Sequence, residues 1–353
     1  MRIFQKTEDP LVKKKNHSSK LAWECLIQFV GGLVAFGPVI TWAVMACTFL
    51  GCANPQRLSG NRAQDDAATK ANVSNATRPE TEFKHRSDKL AHAYSISLAE
   101  LDPEMGSALG FAQFNEETIG LDRKWEEKHR LLEQKWIENI NQELKIEENR
   151  EAIIDLKILK AKIQLSLDYA KMTTKLCRLD FEPVSLSVFD SVQTLANPQS
   201  ILKNKLAAFY RFQKIVKGFN KNGEAFLPRA EAAEDLFEFH QEQCKSKKFI
   251  WPSQQKISEN IKNSGSQLQG TFDLLLDAEK ALAENQVPLP ATAQGWRLIF
   301  DEFKMQVDAY DDFLKEEVLP HTKDGSRLHR EFYNLNLREA GVDSTPEVLL
   351  KAA

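Results

Sequence analysis

The sequence has no glycine-rich phosphate loop, no Gly-x-Ser-x-Gly nucleophile turn and no His-Glu-x-x-His zinc helix. A nucleotide-binding enzyme, a serine hydrolase and a helix-borne zinc site therefore have no motif in their favour. The net charge is only −3, and no basic stripe with interleaved aromatic residues follows the N-terminal region, so nucleic acid is not an expected partner. No convincing run of alternating strand residues is found either, which favours an all-α fold.

Cysteine is scarce, and three of the five cysteines lie in or beside one apolar segment near the N-terminus. The other two, Cys177 and Cys244, lack the CxxC spacing of many metal and redox sites. The two can pair in an oxidising compartment. Because isolated cysteines are more often simply buried, we expect two partly buried thiols rather than a disulfide.

That apolar segment, residues 29–52, contains no charged side chain over 24 residues. At about 1.5 Å of rise per residue, such a helix is long enough to cross a hydrocarbon core of about 30 Å. We therefore predict a transmembrane or signal helix within residues 21–52. Residues 1–20 carry six basic residues against two acidic ones, which favours a cytoplasmic head. The rest of the chain is then expected to face the periplasm or the cell exterior, with the membrane as its partner.

Three interpretations of the segment remain open. A cleaved secretory signal normally has an apolar stretch of only about 7–15 residues, and this one is longer. A bacterial lipoprotein signal is suggested by Phe49-Leu50-Gly51-Cys52, which resembles a lipobox with Phe in place of the usual Leu. An uncleaved signal anchor is the third interpretation, with Trp23 and Trp42 near the two membrane interfaces.

Residues 53–82 are polar and contain almost nothing large and apolar, so we expect a disordered tether. From residue 83 to 353 the pattern predicts a multi-helix domain of long amphipathic helices. One predicted stripe consists of Trp125, Leu132, Trp136, Ile140 and Leu144, with Glu126, Glu127, Lys128, Glu133 and Lys135 on a solvated face. A second consists of Ile154, Ile158, Ala161, Leu165, Tyr169, Met172 and Leu176.

Glycine, serine and proline predict the ends of the later helices. We expect one helix to end at Gly218, one to begin after Ser253 and one to end at Pro320. Residues 344–347, Ser-Thr-Pro-Glu, form a capping box that starts a short helix. Because this helix has no downstream partner for its apolar residues, we expect the domain to be cut off at its C-terminus.

The seven histidines are scattered, and one group of four residues could hold a metal ion. His321, Asp324, His329 and Glu331 lie close together in sequence, but at no recognised ligand spacing, so we expect a solvated turn. A second acidic group, Asp308, Asp311 and Asp312, is interpreted as a solvated helix face. The sequence therefore supplies no catalytic, cofactor-binding or metal-binding residue.

Two stretches carry a family resemblance. Near the C-terminus these are Leu319-Pro320, the segment 331–337, which includes Tyr333, and the Gly-Val-Asp-x-x-Pro-Glu-x-Leu turn over 341–349. Upstream, residues 98–111 contain a Pro-Glu-x-x-x-x-x-Gly stretch at Pro103, Glu104 and Gly110. Both resemble the bacterial domain of unknown function family 885.

The resemblance implies a long, largely helical protein that looks like a zinc-dependent peptidase. Its His-Glu-x-x-Pro-Gly-His motif would supply two ligands and a general base. That motif is absent from this chain, so the resemblance implies zinc and a peptide substrate only for a longer form.

Two functional hypotheses follow. The chain is the membrane-anchored N-terminal helical part of such a metallopeptidase-like protein, without catalysis of its own. Alternatively, it is a complete, non-enzymatic, membrane-tethered helical binding module. The sequence does not determine the oligomeric state.

Membrane anchoring can be tested by cell fractionation. We expect the full chain in the membrane fraction, because residues 29–52 lack any charge. A Cys52→Ser variant should lose lipid labelling if the lipoprotein interpretation is right, and should stay membrane-bound if the segment is a signal anchor. Recovery of the unsubstituted chain in the soluble fraction would contradict both interpretations.

Overall fold

The computed structural model describes residues 79–245, 248–322, 329–342 and 344–352, all within the unit Asn54–Ala353. The predicted head, the predicted membrane segment and the tether up to residue 78 lie outside the described residues. Among the residues that are described, no helix has both the length and the apolar character needed to cross a membrane.

The described residues are mainly helical, which confirms the predicted all-α class. The first helix begins at Pro79, inside the C-terminal end of the predicted tether. The helices are α1 (Pro79–Leu101), α2 (Pro103–Ala108), α3 (Trp125–Ile146), α4 (Arg150–Leu176), α5 (Val184–Ala196), α6 (Leu202–Lys217), α7 (Arg229–Gln243), α8 (Gln254–Glu284), α9 (Trp296–Phe313), α10 (Arg330–Glu339) and α11 (Pro346–Ala352).

Helices α1, α3 and α4 pack side by side at the N-terminal end of the described chain. The turn 147–149 joins α3 to α4 and is too short for anything but an antiparallel pair. The Asn149 side chain accepts hydrogen bonds from the Glu151 and Ala152 amides and so caps α4. The buried apolar residues of this bundle include Tyr94, Leu98, Ile140, Leu156 and Ile163.

The largest core lies among α5, α6, α7, α8 and α9. Its centre is aromatic: Phe209 stacks edge-on against Trp296 at 6.0 Å between ring centroids, and Phe212 against Phe303 at 5.5 Å. Edge-to-face aromatic pairs are stabilising beyond the area they bury. These rings come from α6 and α9, and they join the middle of the chain to its C-terminal part.

Two of the predicted helix faces are wrong in detail. The pattern places Glu133 on the solvated face of α3, but its side chain is only 1% exposed. Conversely, the pattern places Ile154 and Ile158 of α4 on an apolar stripe, and they are 47% and 39% exposed. In both cases the helix is correct and other positions of the predicted stripe are buried, such as Ile140 and Leu165, so the error concerns single positions on the helix surface.

A short antiparallel hairpin follows α6, in a stretch whose sequence shows no convincing strand pattern. Strands β1 (Phe219–Lys221) and β2 (Glu224–Phe226) flank Asn222 and Gly223, whose φ angles are 53° and 84°. Two left-handed residues in an Asn-Gly pair favour the type I′ turn of two-residue hairpins. At Gly218 (φ 70°), which ends α6 as predicted, a Cβ atom would lie 2.4 Å from the Phe226 carbonyl oxygen.

The other predicted helix ends agree with the structure. Helix α8 begins after Ser253, although the serine side chain makes no capping hydrogen bond. Helix α9 gives way to a π-turn (Leu314–Val318) and then a 3₁₀ turn (Leu319–His321) that contains Pro320. Helix α11 begins at Pro346, as the capping box predicts.

Cys177 and Cys244 form a disulfide, which corrects the expectation of two free thiols. Cys177 has left-handed backbone angles at the C-terminal cap of α4, and Cys244 caps α7. Beside the bridge, the Leu179 amide donates to the Ile250 carbonyl at 2.9 Å, and the Ile250 amide donates to the Cys177 carbonyl at 3.0 Å. Sequence spacing could not show that two helix ends 67 residues apart meet here.

Loss of the disulfide should destabilise the fold. Its cysteines are 67 residues apart, so a Cys177→Ala, Cys244→Ala double variant should lose about 2–4 kcal/mol in the free energy of unfolding. Denaturant titration of the full chain in detergent measures this loss. Reductant should reproduce it in the unsubstituted protein and leave the double variant unchanged. If reductant leaves the free energy of unfolding of the unsubstituted protein unchanged, the prediction is wrong.

Candidate functional site

The most concentrated polar chemistry of the described residues is a buried ion pair between α2 and α7. Glu104 forms an ion pair and a hydrogen bond with Arg229, whose side chain is 4% exposed. The Thr118 hydroxyl donates to Glu104 and accepts from Arg229 Nη2 at 2.9 Å. The Ile119 amide donates to the same Glu104 oxygen at 3.3 Å. Each charge in this group has a partner, as burial requires.

Further polar groups surround this ion pair. Glu182 Oε1 lies 3.7 Å from Arg229 Nη1. A second buried guanidinium, Arg211, donates from Nη2 to the Phe114 carbonyl at 2.9 Å and from Nη1 to the Ser191 carbonyl at 3.3 Å. The network therefore ties α2 and the segment after it to α6 and α7.

The pKa values of the carboxyl groups in this network are shifted in different directions. Burial, followed by the charge of Glu104, raises the pKa of Asp102 to about 6. Burial would also raise the pKa of Glu104, but the guanidinium groups of Arg229 and Arg211 hold it below its ordinary value. Burial raises the pKa of Glu182 despite the nearby Arg229. Asp102 and Glu182 are thus protonated more readily than ordinary carboxyl groups.

A second polar cluster lies between α1 and α3. His129 Nδ1 is 3.6 Å from Glu133 Oε1, one helical turn away. Burial, and then the charge of Glu133, raises the pKa of Tyr94 well above its ordinary value. Among the described residues, Glu133 Oε1, the Tyr94 hydroxyl and Trp125 Nε1 are buried without a hydrogen-bond partner. Tyr94 belongs to α1, and Trp125 and Glu133 belong to α3. The three atoms thus lie at a helix interface, where apolar side chains are expected.

The ion pair has no room for a substrate beside it. The space next to Thr118 and Arg229, bounded also by Lys214 and Phe219, is too small for a water molecule. Catalysis needs a reacting group that a substrate can reach. We therefore interpret Glu104, Thr118 and Arg229 as groups that hold the fold together.

A groove with a volume of about 590 Å³ lies between α1 and α3. Its apolar lining includes Leu90, Ala93, Trp136 and Ile146. The polar side chains along it are Arg86, Lys89, Asn139, Gln142 and Glu143. Apolar lining with a few polar groups is typical of sites that bind a ligand or a peptide.

The charges of the groove are partly compensated. Arg86 Nη1 lies 3.4 Å from Glu143 Oε1 and 4.0 Å from Glu147 Oε2. Lys89 is exposed and has no ion-pair partner among the described residues. Within the described part of the chain, the positive charge of Lys89 beside the apolar lining is therefore not compensated.

The four residues considered for a metal are only partly described. His321 stacks on Trp251 at 4.7 Å between ring centroids, and His329 Nδ1 accepts from the Glu331 amide at the start of α10. Asp324 lies outside the described residues. The described residues contain no group of three or more His, Cys, Asp or Glu side chains placed to hold a metal ion. The solvated-turn interpretation of the four residues stays a prediction.

The acidic face of α9 is only partly solvated, which corrects the sequence interpretation. Asp308 and Asp312 are exposed, but Asp311 is 6% exposed, and burial raises its pKa. The same helix turn that exposes two carboxylates directs the third toward Ser264 on α8.

The sequence patterns assign no role to Arg229 or Thr118. Glu104 enters only through the resemblance, although Asp102-Pro103-Glu104 is a helix start with an acidic first turn. No local signal marks Arg229, because its partner is 125 positions away.

Comparisons with known proteins add no relative. Neither a family model, nor a curated protein, nor a solved structure matches this chain.

Replacing Asp102 should change the pH dependence of stability. Its carboxyl is protonated more readily when folded, so its stabilising effect is full below about pH 4 and is lost as pH rises through about 6. An Asp102→Asn variant keeps an oxygen for the Met105 amide, so it should match the unsubstituted protein near pH 4. At pH 8 it should be more stable by about 1–2 kcal/mol.

The control is Asp102→Ala, which also loses the bond to the Met105 amide. It should be less stable than Asp102→Asn by about 1 kcal/mol at every pH. Denaturant titrations of the full chain between pH 4 and 8 give both differences. An Asn variant less stable than the unsubstituted protein at pH 8 would contradict the assignment.

Proposed function

We propose that this protein is a membrane-tethered helical binding module, whose α1–α3 groove receives an acidic amphipathic peptide segment of a partner protein. The observation that carries the proposal is the groove itself, which joins apolar residues such as Leu90 and Trp136 to Lys89, a cation without an ion-pair partner among the described residues. Amphipathic segments dock in grooves of this kind through regularly spaced apolar anchors.

The chemistry of the occupant follows from the lining. Trp136 and Ile146 offer apolar surface, so the segment needs apolar side chains on one face. Arg86 is already paired with Glu143, which leaves Lys89 to attract a carboxylate from the occupant. Asn139 and Gln142 can bond to its peptide groups.

A rigid support for this groove comes from the buried network. Asp102 links the end of α1 to α2, because its side chain accepts from the Met105 amide, and Glu104 links α2 to Arg229 on α7. A buried ion pair is costly to break, since the charge left behind has no partner. One wall of the groove is thereby attached to the largest core.

The disulfide supports a body outside the cytoplasm. Disulfides persist in oxidising compartments and are rare in the cytosol. The Cys177–Cys244 bridge therefore agrees with the orientation proposed from residues 1–20, in which the body faces the periplasm or the cell exterior.

A second candidate is the N-terminal helical part of a zinc-peptidase-like protein, in which the groove would form one wall of a peptide-binding cleft. The turn that carries the resemblance favours it. Gly341 has a φ angle of 73°, the Val342 amide donates to the Leu337 carbonyl, and a helix begins at Pro346. Zinc and catalysis would belong to residues outside this chain.

The groove can be tested with a phage-displayed library of random dodecapeptides, selected on the full chain in detergent. Enriched peptides should combine apolar and acidic residues and should bind at least about tenfold more weakly to Lys89→Glu and to Ile146→Glu. Lys304→Glu is the matched control, because Lys304 is also exposed on a helix but lies outside the groove.

The outcomes separate the two candidates from failure. Equal binding to Lys89→Glu, Ile146→Glu and the control would exclude the groove as the site. A different result would favour the peptidase-like candidate. In that case the bound peptides are cleaved, but only after the polypeptide encoded by the downstream reading frame is added.

A further inference from the structure

Helix α4 has apolar residues on two opposite faces. One face turns toward α1 and α3 and buries Ala152, Leu156 and Ile163. The other is the stripe that begins at Ile154 and Ile158. Ile158 lies about 200° around the helix axis from Leu156, so the two faces point in nearly opposite directions. An isolated surface helix needs only one apolar face, so the second face calls for a partner of its own.

Helix α10 covers the C-terminal half of this second face. Leu165 packs with Phe332 and Leu335, and Tyr169 contacts the Phe332 ring at 5.8 Å. Two ion pairs show that α10 runs antiparallel to α4: Lys175–Glu331 at 3.3 Å and Asp168–Arg338 at 2.9 Å. The cover ends near Lys162, which donates to the Glu339 carbonyl at 3.5 Å.

The N-terminal half of the same face is uncovered in the described part of the chain. Ile154 is 47% exposed and Ile158 is 39% exposed, and Ala161 continues the stripe toward the residues under α10. We call Ile154, Ile158 and Ala161 the bare stripe. At about 1.5 Å per residue it is roughly 10 Å long.

A second uncovered apolar surface lies on α11. Val348 is 55% exposed, Leu349 37% and Leu350 78%. This helix spans seven residues, so it too is roughly 10 Å long. Neighbouring exposed apolar side chains on a surface mark contacts with another molecule.

The bare stripe and α11 are too far apart to cover each other within one copy. The Arg330–Glu347 ion pair, at 2.8 Å, holds α11 beside the start of α10. That start lies at the Lys175 end of α4. Seventeen helical residues separate Ile158 from Lys175, which is about 25 Å along the axis.

We propose that a second copy of this chain covers both surfaces, with α11 of each copy packed on the bare stripe of the other. A twofold axis that reverses α4 places the Lys175 end of one copy beside the Ile158 end of its partner. Both contacts then form at once and the assembly closes as a dimer. Each contact extends the interface that α10 already makes on the same face of α4.

The contact is selective for helices of this size. Ala161 lets the partner helix approach closely at one end of the stripe, and the two isoleucines supply apolar area at the other. The two short contacts bury little area, so the dimer should be weak and concentration-dependent. The proposal is independent of the α1–α3 groove, which lies on other helix faces.

The test uses charge substitutions in the full chain, with sedimentation velocity in detergent over roughly 1–200 µM protein. The unsubstituted chain should show a monomer–dimer equilibrium. Ile158→Lys alone and Leu350→Glu alone should each weaken dimerisation by at least about tenfold. Leu298→Lys is the matched control, because Leu298 is 75% exposed on α9 and belongs to neither surface.

Mixing the two variants gives the sharper readout. In a mixed dimer, the lysine introduced on the bare stripe of one copy faces the glutamate introduced on α11 of the other. The second contact of that dimer keeps the original Ile158 and Leu350. Dimer should therefore reappear on mixing Ile158→Lys with Leu350→Glu, at concentrations where each variant alone is monomeric. A symmetric contact between two copies of α4 would not be restored in this way.

Three results would overturn the proposal: a monomer throughout the concentration range, a dimer that survives both substitutions, or no dimer on mixing. Survival would assign association to another part of the chain, such as the apolar segment 29–52. Thermal unfolding of each variant checks that the substitutions, both at exposed positions, leave the fold intact.

Discussion

The free-energy cost of burying an arginine falls when a carboxylate lies close to it and hydrogen bonds replace those to water. Arg229 has such partners in Glu104, Thr118 and Glu182. They come from α2, from the segment between α2 and α3 and from the segment before α5, so the full set of contacts forms only when all three lie against α7. The N-terminal bundle thereby depends on the C-terminal core, although the two have separate apolar interiors.

The same constraint assigns roles to the polar groups. Glu104 Oε1 already accepts hydrogen bonds from a guanidinium, a hydroxyl and an amide, and the space beside the pair is too small for a water molecule, so we interpret Glu104 as a stabilising group rather than a reacting one. Among the described residues, three surfaces remain open to solvent: the α1–α3 groove, the bare stripe of α4 and the exposed face of α11. The first combines charge and apolar area, and the other two are apolar on one side, which suits them to different partners.

Local patterns predicted the helices well and their faces less well. Gly218, Pro320 and the capping box at 344–347 mark helix ends in the structure, because glycine, proline and capping side chains act on their own turn of backbone. Glu133 shows the limit: its burial depends on α1 lying across that face of α3, which no pattern within α3 encodes. The type I′ hairpin at Asn222-Gly223 carried a local signal that the helical context obscured.

The sequence by itself determined the all-α class, the positions of several helix ends and the charge-free segment 29–52, since each depends on residues within a few turns of one another. Only the tertiary structure decided that Cys177 meets Cys244, that Asp311 is buried while its neighbours are exposed, and that Glu104 pairs with Arg229. Those contacts join positions as many as 125 residues apart. Their existence depends on how the helices pack, and packing is set by the shape and burial of the whole chain rather than by any local period.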